Sequence, residues 1–357
     1  MFLQKLQLVN FKNYENSFFE FSEGLNCIVG KNGSGKTNLM DAVYFLSLSK
    51  SSIHNQDVLS IKFEEDYMHI EGVFCKENSE LITCSMQRGG KKMFFQDKSP
   101  YERMGDHIGK YPVVLIAPDD TDLIRDSSDT RRKLFDGIIA QLDSDYLKTY
   151  QVYNRTLDQR NSLLRQFGEH NYFDEDLLNI YTEKLLILGE EIYQKRKTFV
   201  EDFLLIFKKY YAFLSEGNDE VHIGYKSDLA SANTKNLFKA SLAADLAAQR
   251  TTKGIHKDDY EFTMDQMAVK KFGSQGQKKS FIMAIRLAQF EILESQKGFK
   301  PILLLDDIFD KLDEKRIAKL VEMIDNNSFG QVFLTDAREN RTKELLSEIE
   351  VRFHVIA

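Results

Sequence analysis

Apolar and polar residues follow two different rhythms along this chain. A period of two, the mark of strands, runs through Leu6-Gln7-Leu8-Val9, Phe18-Phe19-Glu20-Phe21, Met68-His69-Ile70-Glu71-Gly72-Val73-Phe74 and Leu81-Ile82-Thr83-Cys84-Ser85-Met86. Arg88-Gly89-Gly90-Lys91 predicts a hairpin turn, because Gly-Gly accepts positive φ. Tyr111-Pro112-Val113-Val114-Leu115-Ile116 reads as a continuous apolar strand. Residues 2–116 therefore predict a strand-rich lobe.

Beyond it the spacing becomes helical, and no proline occurs between Pro118 and Pro301. Tyr146, Tyr150, Tyr153, Leu157 and Leu164 stand at helical intervals, as do Leu178, Tyr181, Leu185, Leu188 and Ile192. Phe199, Phe203, Ile206 and Tyr210 continue the second stripe. Asp143-Ser144-Asp145 and Asp174-Glu175-Asp176 supply helix starts, where acidic groups meet the helix dipole favourably. A helix over 175–214 would be about 60 Å long if unbroken. Gly189 weakens it by roughly 1 kcal/mol relative to alanine and marks the place for a bend. The aromatic stripe reads as the core of a helical subdomain. A third helix is expected over 233–249.

Strand patterns return near residue 255. Tyr260-Glu261-Phe262-Thr263-Met264 alternates, Ser274–Glu294 is a long helix, and Pro301-Ile302-Leu303-Leu304-Leu305 is a buried strand. A helix over Asp313–Ile324, a strand over Gln331–Thr335, a helix over Glu339–Ile349 and a strand over Arg352–Ile356 complete the pattern. Apolar strands alternating with helices imply a parallel sheet covered on both faces. The expected division is a split lobe, 1–120 with 255–357, and a helical insertion over 121–254.

Composition narrows the partners. A chain of 357 residues with 42% hydrophobic content, 27 Phe and 15 Tyr can build more than one core. A net charge of −7 excludes a basic field over the whole surface, so nucleic acid would be bound by a local basic patch. Cys27, Cys75 and Cys84 form no metal-spaced pair and read as thiols in a reducing cytosol. No apolar run approaches the roughly 20 residues that span a bilayer, and the first residues lack a signal-peptide layout. The expectation is a cytoplasmic protein without a membrane partner.

Three motifs carry chemistry. Gly30-Lys31-Asn32-Gly33-Ser34-Gly35-Lys36-Thr37 has the pattern G-x-x-x-x-G-K-[ST], between an apolar strand (Leu25–Val29) and a helical run from Asn38. Glycines let successive backbone N–H groups curl around an anion, and the helix N-terminus adds positive potential. Lys36 reaches the outer phosphates and the Thr37 hydroxyl binds Mg²⁺. Leu303-Leu304-Leu305-Asp306-Asp307 is an apolar strand ending in two carboxylates. In company with a phosphate loop it predicts Asp306 as a metal-holding group and Asp307 as the group that orients or deprotonates water. Alone it is also what a capped strand end looks like. Ser274-Gln275-Gly276-Gln277 places a serine and a glycine amide at a helix start, a second anion site or a plain helix cap.

The order GKNGSGKT, SQGQ, LLLDD, then Asp310-Lys311-Leu312-Asp313, resembles the ATP-binding-cassette class. That resemblance implies an α/β fold, an ABC-type P-loop ATPase head of two lobes with mixed sheet and an inserted helical domain. It implies a homodimer with ATP between heads, the Ser274 hydroxyl contacting the γ-phosphate held by the partner, Gly276 and Gln277 beside it as nucleotide-binding residues, and Asp313 in the loop that touches the partner. Further segments resemble the bacterial RecF recombination mediator family. They are Leu8-Val9-Asn10-Phe11-Lys12-Asn13-Tyr14, Gly35-Lys36-Thr37-Asn38, Ala117-Pro118-Asp119-Asp120, Arg131-Arg132-Lys133-Leu134-Phe135-Asp136, Gln141–Leu147, Tyr153-Asn154, Gln159–Leu164 and Gly254-Ile255-His256-Lys257-Asp258-Asp259. Lys12 and Lys257 stand where the family has arginine, Ile255 where it has proline, and Asp307 where most cassette ATPases have glutamate. The shorter arm of Asp307 fits slow hydrolysis. Asp336 lies near the usual switch histidine.

This resemblance implies a weak ATPase that binds single-stranded DNA and duplex at gaps, acts with RecR and RecO, and helps load RecA in DNA repair and replication. Candidate DNA contacts are Arg88/Lys91/Lys92, Arg131/Arg132/Lys133, Lys195/Arg196/Lys197, Lys208/Lys209, Lys253/Lys257 and Lys278/Lys279, each also readable as a solvated face. Other readings are a transporter ATPase, an SMC/Rad50-type ATPase and a small-molecule P-loop kinase. Against them stand the insertion, its shortness beside a long coiled coil, and the Ser274–Gly276 signature.

Overall fold

Two sheets of opposite character follow from the two strand patterns. In the computed structural model, residues 1–170, 172–215, 219–230, 234–309 and 312–356 are described. The expected Asp310-Lys311 pair and the first residue of the helix expected over 233–249 lie outside them. The chain begins β1 (Phe2–Phe11), β2 (Tyr14–Glu20), β3 (Leu25–Gly30), α1 (Lys36–Leu48), β4 (Tyr67–Cys75), β5 (Ser79–Gln87), β6 (Met93–Gln96), β7 (Ser99–Pro100) and β8 (Val113–Ile116). Next come α2 (Asp122–Arg125), α3 (Ser128–Leu142), α4 (Ser144–His170), α5 (Glu175–Leu214), β9 (Val221–Lys226), α6 (Thr234–Ala248), β10 (Asp259–Met264), β11 (Met267–Ala268), α7 (Val269–Phe272) and α8 (Gln275–Lys297). The last stretch holds β12 (Ile302–Leu305), α9 (Glu314–Asp325), β13 (Val332–Asp336), α10 (Glu339–Leu345) and β14 (Val351–Ile356).

The chain divides into two units, Met1–Thr121 with Lys279–Ala357, and Asp122–Lys278. The first unit contains an antiparallel six-stranded sheet in the order β2-β1-β4-β5-β6-β7 and a parallel five-stranded sheet in the order β14-β3-β13-β12-β8. The antiparallel strands alternate between buried and half-exposed positions. In β1 the buried set shifts phase from Leu3 to Leu6 and Leu8, where a register break falls between Leu3 and Lys5. The parallel strands β12 and β13 are buried at every position, as strands covered on both faces must be. Leu6 and Leu8 of β1, Ile70 and Phe74 of β4, Val43 and Phe45 of α1, and Ile28, Leu304 and Phe333 of the parallel sheet share one apolar cluster. The expected turn at residues 88–91 joins β5 to β6, with Gly89 at φ 71°.

The second unit is less purely helical than expected. The order β11-β10-β9 forms a small antiparallel sheet, with Tyr260 opposite Tyr225 and Phe262 opposite Ile223. This pairing moves the boundary. Residues 255–278, expected in the split lobe, belong to the insertion because β10 completes its sheet. Helix α5 runs unbroken through all 40 of its residues, capped by Asp174, whose carboxylate accepts from Leu177 N at 2.9 Å. The helical pattern is not interrupted at Gly189. A Cβ there would lie 3.4 Å from Leu229 and 3.5 Å from Tyr153, ordinary contact distances that leave room for an alanine. Helix α10 stops at Leu345, short of the expected 349.

Two buried arginines organise this unit. Arg196 on α5 donates to both Asp136 oxygens (2.9 and 2.8 Å), to Asp258 Oδ2 (3.0 Å) and to Ile255 O (2.9 Å). Tyr146 donates to Asp136 at 2.6 Å, and Tyr225 donates to Asp258. Arg160 on α4 donates to Asp245 (2.8 Å), Thr251 (2.7 Å) and Thr182 (3.0 Å). Isolated buried charges would be costly; here each guanidinium faces carboxylates and hydroxyls.

Candidate nucleotide and metal site

The phosphate loop connects β3 to α1, as its glycines allow. Gly33 has φ 82° and Gly35 has φ 110°, values that a side chain strains. A Cβ on Gly35 would also lie 2.3 Å from Asn13 Nδ2, and one on Gly30 would lie 2.3 Å from Ile356 O. Lys31, Asn32 and Gly33 are exposed. Lys36 is buried, and its Nζ folds back to donate to Gly30 O (2.8 Å) and Lys31 O (3.0 Å).

The turn between β1 and β2 braces this loop. Asn13 Nδ2 donates to Ser34 O at 3.1 Å, Asn38 Nδ2 donates to Asn13 Oδ1 at 2.8 Å, and Tyr14 OH donates to Gly35 O at 3.0 Å. Burial pushes the Tyr14 phenol up to about 12, so it remains a donor at neutral pH. These bonds tie the carbonyls of Ser34 and Gly35, the latter also accepting from Leu39 N at 2.9 Å, and so hold the loop's backbone in place. Lys12 is spent one residue earlier. Its Nζ stands 2.6 Å from Asp41 Oδ2 on α1 as a buried ion pair. Asp41 also accepts from Ser51 Oγ (2.7 Å) and Ser52 N (2.6 Å).

Parallel pairing brings the two carboxylates to this end of the sheet. Thr37 Oγ1 donates to Asp306 Oδ1 at 3.2 Å, and Thr335 Oγ1 donates to the same oxygen at 2.7 Å. Burial raises the Asp306 carboxyl above its ordinary value; the Thr335 and Thr37 hydrogen bonds and the Lys36 charge oppose this, while Asp307 adds to it. A buried carboxylate in this setting gains from a cation. Asp307 is half-buried, with φ 47° and its N–H donating to Thr335 Oγ1 at 2.8 Å. The pocket suits a magnesium-bound polyphosphate on its own chemistry. Ser34 Oγ is buried without a hydrogen-bond partner among the described residues, and Thr37 and Asp306 form a hard-oxygen donor pair.

Gly30 to Thr37, Asp306 and Asp307 thus meet in the first unit. Ser274, Gly276 and Gln277 lie in the second. Ser274 Oγ accepts from Gln277 N (3.2 Å), and Gln277 Oε1 accepts from Ser274 N (2.8 Å), a reciprocal capping box at the start of α8. Ser274 is exposed, and an accepting hydroxyl keeps its proton for another acceptor. Asp313 caps α9 by accepting from Arg316 N at 3.1 Å, and it pairs with the Arg316 guanidinium. Its slight burial works against ionisation, but these contacts hold its carboxyl below the usual range. Asp336 is buried at the end of β13, where it accepts from Arg338 N (2.9 Å) and Thr342 Oγ1 (2.8 Å) ahead of α10.

The basic candidates separate. Arg131 is bidentate to Asp259 (2.8 and 3.0 Å), Arg132 donates to Asp258 O (2.6 Å), and Arg196 is wholly internal. Lys208, Lys209 and Lys257 are exposed. Sequence reasoning missed Thr335, which lies in an unremarkable apolar strand, and the bracing by Asn13 and Tyr14. The LVNFKNY segment was visible, but its contacts across 21 residues of sequence were not.

A phosphate loop, a carboxylate-ended strand one place removed from it in the same parallel sheet, and two packed sheets define a P-loop ATPase head of the ABC type. The model of the family described as RecF/RecN/SMC N terminal domain matches residues 2–355. The chain is 43% identical over 356 residues to the DNA replication and repair protein RecF of Flavobacterium johnsoniae, covering 99% of each. It is 42% identical to the RecF of Cytophaga hutchinsonii, over 96% of this chain and 91% of that one. A solved structure of the recombination mediator protein RecF with ATP, from the RecFOR pathway, aligns with TM-score 0.86 at 30% identity, over 94% of this chain and 92% of that one. An Smc head bound to a ScpA domain, at 19% identity and TM-score 0.54 over 95% and 90% of the two chains, shares the fold alone. The chain belongs to the RecF family.

Proposed function

We propose that this chain is a RecF-type recombination mediator, a weak Mg²⁺-dependent ATPase that uses ATP as a dimerisation switch. Two copies close around ATP, hold DNA at single-strand gaps, and with RecR and RecO help load RecA in the cytoplasm. The observation that carries this reading is the braced phosphate loop beside Thr37 and Asp306, in a chain of this family. The solved RecF–ATP relative supports the ligand.

In this reading the loop amides and Ser34 Oγ take the phosphates, and Lys36 exchanges its two carbonyl partners for phosphate oxygens. Thr37 and Asp306 hold Mg²⁺, which when bound supplies positive charge against the phosphate oxygens. Asp307 orients the attacking water or takes its proton. The exposed Ser274 offers a hydrogen bond to a second copy's nucleotide, with Gly276 beside it in the same helix start, and Asp313 stands at the N-terminus of α9 for contact with that copy. Among the described residues no helix is long and apolar enough to cross a membrane, and no cluster of three or more His, Cys, Asp or Glu could hold a metal by itself. The second fact suits a cation bound partly by phosphate and water.

Sedimentation with and without ATP, Mg²⁺ and gapped DNA tests the proposal. The expected result is a nucleotide-dependent dimer that retains gapped DNA, abolished by Lys36→Ala. A monomer under all conditions refutes the switch.

A further inference from the structure

Thr335 is 1% exposed, and its one hydroxyl serves both acidic residues of the site. It donates to Asp306 Oδ1 at 2.7 Å and accepts from Asp307 N at 2.8 Å. It comes from β13, the strand between β3, which leads into the phosphate loop, and β12, which ends at the carboxylates. Thr335 pairs with Ile28, and the preceding Leu334 pairs with Leu305. The hydroxyl is therefore fixed by backbone ladders on both sides.

Asp307 needs such an anchor. Its left-handed backbone costs about 1–2 kcal/mol in a residue with a Cβ, and such a conformation persists only where its surroundings over-determine it. The conformation decides where the Asp307 carboxylate projects. The Thr335 lone pair takes the Asp307 N–H. Its proton goes to Asp306 Oδ1, the oxygen that the Thr37 hydroxyl also reaches at 3.2 Å, so the carboxylate is held between the two hydroxyls.

We infer that Thr335 is a positioning residue that sets the two acidic groups together: Asp306 for the cation and Asp307 for water. The inference rests on the roles proposed above for those two residues. A hydroxyl is required, since only a group that donates and accepts at one atom meets both demands. Serine preserves it; alanine and valine remove it, valine at unchanged bulk.

The test compares Thr335→Ala, Thr335→Ser and Thr335→Val in the full chain. Three readouts are ATP turnover, nucleotide affinity in EDTA, and Mn²⁺ affinity in the presence of nucleotide by electron paramagnetic resonance. Loss of the hydroxyl lowers turnover by about 10- to 100-fold, the scale of a small misplacement of reacting groups. It also weakens Mn²⁺ while sparing metal-free nucleotide affinity, and serine recovers most of the loss seen with alanine. Valine need not fold for the alanine–serine comparison to decide. Wild-type turnover and Mn²⁺ affinity in Thr335→Ala overturn the inference, as does equal failure of the serine and alanine variants. Asp306→Ala is measured alongside. If it keeps wild-type Mn²⁺ affinity, the site reading itself fails; if it alone loses affinity, only the role of Thr335 falls.

Discussion

Removing the brace on the phosphate loop should cost ATP affinity without touching any group that meets ATP. In the double variant Asn13→Ala/Tyr14→Phe three hydrogen bonds vanish: Tyr14 to Gly35 O, Asn13 to Ser34 O, and Asn38 to Asn13. The Tyr14 bond is buried, whereas the two at Asn13 are exposed and belong at the low end of the range. A net hydrogen bond contributes about 0.5–1.5 kcal/mol, so each single variant should weaken binding by about 2- to 12-fold. The pair together should reach about 1–3 kcal/mol, or about 5- to 150-fold, if the free loop relaxes and ATP must reorder it. Titration calorimetry with Mg-ATP measures this directly. Circular dichroism of the same samples checks that the loss is not global unfolding. A double variant that binds ATP with wild-type affinity, under conditions where Lys36→Ala binds none, refutes the claim that these donors pre-shape the loop.

Three further outcomes follow from the same geometry. Asp307→Asn should cut turnover by about 10²- to 10⁴-fold, the worth of a general base, while an ATP-dependent dimer accumulates on size exclusion; normal turnover removes Asp307 from its role. Ser274→Arg should bind ATP with near-normal affinity yet fail to dimerise, because the added cation fills the exposed start of α8; a nucleotide-dependent dimer in this variant sinks the sandwich reading. Arg196→Met should destabilise the second unit by about 3–5 kcal/mol, since Asp136 and Asp258 stay buried without their cation. Burial already raises Asp258, and Arg196 opposes that rise. In the variant the folded carboxyl rises further above its unfolded value. The added penalty is therefore absent below the ordinary carboxylate range and grows as pH rises through it, so urea unfolding should show a larger loss at about pH 8 than at about pH 5. A loss independent of pH contradicts this.

Much of the fold was legible because it repeats local rules. The expected 175–214 helix matches α5 at both ends, since an acidic cap opens it and the apolar stripe persists throughout. The phosphate loop was legible because strand, glycines and helix are contiguous. What escaped depended on distant partners. β9 is six residues with a central Gly224, too weak a pattern to recognise until β10 pairs with it, and that pairing carries residues 255–278 into the insertion. Several segments that pointed to the family, among them Arg131–Asp136, Gln159–Leu164 and Gly254–Asp259, supply the polar core of the second unit. Arg131, Arg132 and Arg196, attractive as phosphate contacts in one dimension, are occupied by Asp259, Asp258 and Asp136 in three. Thr335 and Asp336 adjoin in sequence, yet one serves the carboxylates and the other ties the end of β13 to Arg338 N and Thr342.

The strand order of the parallel sheet also sets a timetable for biosynthesis. β3 lies between β13 and β14, so both neighbours of the strand that enters the phosphate loop emerge from the ribosome near the end of translation. Residues 122–278, contiguous and internally paired, are complete well before then. At bacterial elongation rates the nascent β3 waits on the order of tens of seconds for its flanks. A strand buried at five of its six positions in the finished molecule thus spends that interval without either of its strand partners. A premature stop before β13 would therefore leave the strand that enters the phosphate loop with neither of its partners.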